Sequence, residues 1–74
     1  MAHFRYDITV IPAGWRVTCN GTAGPAYSQR DPAVLDTLAI AERLRGEGHQ
    51  VDVRLFELDG AGRVLEPKDA KLFG

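Results

Sequence analysis

Asn20-Gly21-Thr22-Ala23-Gly24-Pro25-Ala26-Tyr27-Ser28-Gln29-Arg30-Asp31-Pro32 is the stretch on which the fold turns. From Asn20 to Ser28 it holds Gly21, Gly24 and Pro25, and it reads as a loop. Asp31-Pro32 then reads as a helix start. The aspartate side chain accepts bonds from the first free amides as N-cap, and proline suits the first helical position. The helix is expected from Pro32 to Gly46 or Glu47. Val34, Leu38, Ala41 and Leu44 form its apolar stripe, flanked by Leu35 and Ile40, with Asp36, Glu42 and Arg43 outside. Gly46 or Gly48 supplies the left-handed stop.

Upstream, Phe4 to Ile11 alternates as a strand. Phe4, Tyr6, Ile8 and Val10 share one face, and Arg5, Asp7, Thr9 and Ile11 the other. Pro12-Ala13-Gly14 reverses the chain. Trp15, Val17 and Cys19 then alternate with Arg16, Thr18 and Asn20, completing a hairpin. Downstream, Val51 to Leu58 reads as a third strand with Val51, Val53 and Leu55 inward. Asp59-Gly60-Ala61-Gly62 is a turn, and Arg63 to Glu66 a short fourth strand with Val64 inward. Pro67 ends it, leaving residues 67–74 as a partly ordered tail. A single four-turn helix must cover one face of the sheet. The expectation is therefore one α+β domain over residues 1–74, of order ββαββ. Its four-stranded, mostly antiparallel sheet is covered on one face by the helix, in the order second, first, third, fourth strand.

Seventy-four residues make one domain, and a chain this short buries only about 60–65% of its unfolded surface. With Cys19 the sole cysteine, no internal disulfide reinforces it, and self-association becomes an option. Nine basic against ten acidic residues give a net charge of −1, which supplies no global attraction to phosphate backbones. Seven of the cations are arginine, the residue suited to bidentate recognition. The opening MAHFRYDITV lacks the pattern of a secretory signal, and no apolar run approaches the ~18 residues that span a bilayer. A lone cysteine suits a reducing cytoplasm, which is the expected location.

No catalytic centre emerges. Ser28 and His49 lack the spacing and local partners of a triad, and His49, between a helix stop and a strand, reads as a solvated histidine. His3, Cys19, His49 and Asp52 are the only metal-ligand candidates, and none forms a close pair such as C-x-x-C. Gly21 and Gly24 fail as a phosphate cradle, because Ala26, Tyr27, Ser28, Gln29 and Arg30 intervene before the helix start and the loop carries no lysine. Trp15 and Cys19 read as core residues. No cofactor, metal, membrane or small-molecule ligand is inferred.

The sheet face away from the helix is the feature that asks for a role. Ile11, Phe56, Leu58 and Leu65 are expected there, beside Arg16, Arg54 and Arg63. An aliphatic patch with an aromatic, ringed by arginine, marks an interface more often than bare surface. A four-stranded sheet also leaves two edges able to pair with another chain. The reading is a non-enzymatic interaction module that binds a protein partner or itself through the open sheet face or an edge strand. The alternative is a weak nucleic-acid binder using Arg16, Arg54, Arg63 and Phe56, or an antitoxin-like regulator.

Val10-Ile11-Pro12-Ala13-Gly14-Trp15-Arg16-Val17 and Asp59-Gly60-Ala61-Gly62-Arg63-Val64 resemble a bacterial family known as domain-of-unknown-function family 2188. Its members are short cytoplasmic proteins with a Pro-x-Gly-Trp-x-Val strand pair, one Ala-rich helix and a closing Asp-Gly-Arg-Ile hairpin. Many end in an aromatic and a glycine, as Phe73-Gly74 does here. The match runs through most of the chain from Thr9. It departs in a second turn longer by Ala61-Gly62 and in a helix that starts at Asp31-Pro32 rather than at Thr or Ser. The resemblance implies the same small fold and carries no functional residues. A more distant likeness is to small antitoxins built as a sheet with one covering helix, without their Pro-x-x-Pro-Gly-Cys-like segment.

Overall fold

The structure, a computed structural model, describes residues 2–58, 60 and 62–74. Its elements follow as β1 (His3–Ile11), β2 (Gly14–Cys19), β3 (Thr22–Tyr27), α1 (Arg30–Gly46), β4 (Gln50–Phe56) and β5 (Gly62–Leu65). A 3-10 helix over Pro67–Leu72 closes the chain. The sheet order is β3-β2-β1-β4-β5; β1 and β4 are parallel, and the other neighbours are antiparallel. The α+β class and the single helix on one face hold. The sheet, however, is five-stranded and mixed, and the element order is βββαββ.

Both differences have one origin, the segment expected to be a loop. Asn20 and Gly21 have φ of +51° and +84°, and Cys19 pairs directly with Thr22 across them. Positive φ at both central residues is the signature of a type I′ hairpin turn. β3 therefore continues the meander. An extra crossing of the sheet reverses the direction of everything after it, so β4 arrives parallel to β1. Gly24 and Pro25 do not abolish the strand; they bulge it. Arg16 pairs with Ala26 and Thr18 with Ala23, leaving two residues of β3 opposite Val17. A Cβ on Gly24 would lie 2.8 Å from the Val17 carbonyl oxygen, so only glycine fits the bulge.

The inner sheet face meets α1. Ile8, Val17, Val51, Val53, Leu55 and Leu65 are buried against Ala33, Val34, Leu38 and Ala41, with Phe4, Tyr6, Trp15, Tyr27, Leu35 and Leu44 packed around them. β1 and β4 keep the expected parity, although Val10 is exposed. β5 does not keep it. Val53 pairs with Leu65 and Arg54 with Val64, so Leu65 is 1% exposed and Val64 64% exposed. Directly paired residues share a face, which puts Arg63, opposite Leu55, on the helix side as well.

The helix begins earlier than expected, with Gln29 rather than Asp31 at the N-cap and no side-chain cap bond. Arg30 holds the first turn instead, donating to Glu57 at 2.9 Å and to Asp31 at 3.2 Å. Pro32 stays compatible, because first-turn amides have no intrahelical partner. At the other end Gly48, φ +92°, donates to Arg45 O, and His49 donates to Leu44 O. This is the Schellman pattern, and it supplies the glycine stop. Residues 67–74, expected to be partly ordered, form a capped turn. The Glu66 and Asp69 side chains each accept a bond from the other's backbone amide. Beyond it Phe73 is 3% exposed, with the Arg30 and Arg63 guanidinium groups 5.1 and 5.8 Å from its ring centroid. The expected turn at Asp59–Gly62 includes Asp59 and Ala61, which lie outside the described residues.

Candidate interaction surface

The sheet face opposite α1 carries no covering layer among the described residues. Its cross-strand rows follow from the register. One row runs Ala26, Arg16, Thr9, Phe56, Gly62; the next runs Ala23, Thr18, Asp7, Arg54, Val64. Arg54 is gripped by Asp7, with Nε donating to Oδ1 at 3.0 Å and Nη2 to Oδ2 at 3.3 Å. Its guanidinium also lies 5.3 Å from the Phe56 ring centroid. The ring in turn rests on Gly62, where an added Cβ would come within 2.6 Å of Phe56 Cε1. Asp7, Arg54, Phe56 and Gly62 thus form a self-satisfied stack. Arg16 Nη1 donates to the Gly24 carbonyl at 3.2 Å, bracing the bulge.

Of the seven expected surface residues, the fold gathers four on this face: Ile11, Arg16, Arg54 and Phe56. Leu65 and Arg63 are corrected to the helix side by the register of β5. Leu58 lies beyond the end of β4 and is 88% exposed. Val64, expected inward, is instead on the open face and 64% exposed. Two adjacent apolar residues in a four-residue strand fit either parity, and only pairing with Val53 decides between them. Leu58, Val64 and Leu72 (63% exposed) all belong to the segment in and around β5. The other exposed large apolar side chain among the described residues, Val10, lies on the central strand β1.

The two edges differ chemically. β3 is six residues long but contains Pro25, which has no amide hydrogen, and it is bulged beside it. β5 is four residues long, unbulged, and lacks proline. Among the described residues its only strand partner is β4.

Elsewhere an open depression of about 540 Å³ is lined by Trp15, Gln29, Arg30, Asp31 and Pro32. The Arg30 charge there is met by Asp31 and Glu57. Nearby, burial and a 3.0 Å bond donated to Asp36 hold the Tyr27 phenol above its ordinary pKa. Burial and a hydrogen bond with Cys19 do the same for Tyr6. The histidines are tied down. His3 Nε2 lies 2.7 Å from Asp52 Oδ2, and His49 Nδ1 accepts the Ala2 amide at 3.1 Å while its ring meets Phe4 edge-on. The solvated histidine expected at position 49 is thus a half-buried structural one. Among the described residues no group of three or more His, Cys, Asp or Glu is placed to hold a metal ion, and no helix is long and apolar enough to cross a membrane. No family model, curated protein or solved structure matches this chain.

Proposed function

We propose that this chain is a non-enzymatic interaction module that binds a protein partner through the β5 side of its sheet. What supports the reading is Val64, 64% exposed on a short edge strand whose only strand partner among the described residues is β4, with Leu58 and Leu72 exposed in the flanking sequence. Main-chain pairing along such an edge supplies affinity, and side chains on alternate faces supply selectivity. The open-face cations support a nucleic-acid reading less well, because Asp7 neutralises Arg54 and stacks it on Phe56. The likeness to family 2188 remains part of the proposal and rests on the two quoted motifs.

The test is affinity capture from a lysate of the source cells with immobilised chain, comparing wild type with Val64→Lys. The reading expects at least one protein retained by the wild type and lost with the variant. An identical set from both contradicts it, as does retention on a single-stranded DNA column that fades with salt.

A further inference from the structure

We infer that the partner of the β5 edge is a second copy of this chain, paired antiparallel across a two-fold axis with Val64 opposite the partner's Val64. The inference rests on the proposed use of that edge and specifies its occupant.

The asymmetry of the edges is the first support. Pro25 and the bulge remove β3 as a pairing strand, so each molecule offers one competent edge. A chain with one self-complementary edge assembles into a closed pair and stops there, whereas two competent edges would propagate. The net charge of −1 sets up little repulsion between copies.

Register supplies the second support. Residues directly opposite in an antiparallel pair lie on the same face, so a two-fold operation leaves two central choices within β5. Either Arg63 faces the partner's Arg63, or Val64 faces the partner's Val64. The first sets like charges opposite each other, which is destabilising. The second makes a β-branched pair on the open face and sets Arg63 across from the partner's Leu65. It also brings Glu66 across from the partner's Gly62. The one exposed apolar side chain of β5, Val64, is thereby covered by its counterpart.

A four-residue strand is much smaller than the roughly 20–30 residues a side of a standard interface, so the pair is a weak one. It forms as concentration rises and does not persist on dilution.

The test combines sedimentation equilibrium of the full chain, from micromolar to millimolar concentration, with thiol cross-linking in a Cys19→Ser background. Opposite Cα atoms about 4.5–5.5 Å apart fall within the reach of a disulfide. Val64→Cys is therefore expected to give a cross-linked dimer under an added mild oxidant, and Arg63→Cys is not. Circular dichroism confirms that both variants stay folded. Growth of dimer with concentration, with cross-linking confined to position 64, supports the pairing. A monomer throughout, or equal cross-linking at 63 and 64, overturns it. If the chain stays monomeric while Val64→Lys still abolishes lysate capture, self-pairing fails and the interaction reading stands. If capture is also unchanged, both fail.

Discussion

The two faces of this sheet are made by the same strands, one residue out of phase, and they hold together by different physics. The inner face is continuous hydrocarbon: Ile8, Val53, Leu55 and Leu65 are all essentially inaccessible beneath Ala33, Val34, Leu38 and Ala41. Its stabilisation scales with apolar area removed from water. The outer face is held by local polar and stacking contacts, with Asp7 on Arg54, Arg54 on Phe56, and Phe56 on Gly62. A sheet with one packed and one open face needs a layer only on the first. The difference teaches that the β5 register, which sends Leu65 in and Val64 out, also decides which chemistry reaches the surface.

Truncation should separate the faces sharply. Leu65→Ala, or Leu55→Ala, is expected to cost about 2–5 kcal/mol in urea unfolding, because each leaves a cavity under the helix. A loss near zero for Leu65→Ala would mean that β5 is turned the other way. Gly14→Ala comes next. Gly14 has φ +140°, and a Cβ there would collide with the Tyr27 carbonyl oxygen. About 1–3 kcal/mol of destabilisation is expected from that strain.

On the open face the effects shrink. A double-mutant cycle on Asp7→Ala and Arg54→Ala should return a coupling of about 0.5–1 kcal/mol, typical of a partly exposed ion pair. Zero coupling would reduce the stack to coincidence. Val64→Thr should move stability by no more than about 0.5 kcal/mol in either direction. A much larger loss would place that side chain in the core.

Much of the inner face was legible before any coordinates. The period-two run Val51, Val53, Leu55 and the helical stripe Val34, Leu38, Ala41 each leave little choice of orientation, because they are long enough for a pattern to repeat. β3 was missed for a specific reason. Gly24 and Pro25 suggest a loop, yet they sit where the strand bulges, and the informative pair is Asn20-Gly21, a two-residue hairpin signal. Counting one crossing too few then reversed the expected direction of β4 against β1. β5 failed differently: Val64 and Leu65 are adjacent and apolar, and the strand is too short for periodicity to choose between them. The exposure of Val64 is hidden for the same reason, since it depends on that choice. The long-range grip of Arg30 on Glu57, which sets the helix start, has no local signal at all.

The orientation of β5 carries both the core and the proposed surface, and solvent paramagnetic attenuation of methyl resonances in dilute solution tests it most directly. With a soluble gadolinium chelate, the Val64 methyls should be strongly broadened and the Leu65 methyls spared. Broadening of Leu65 with protection of Val64 would contradict the register and remove the surface proposed here.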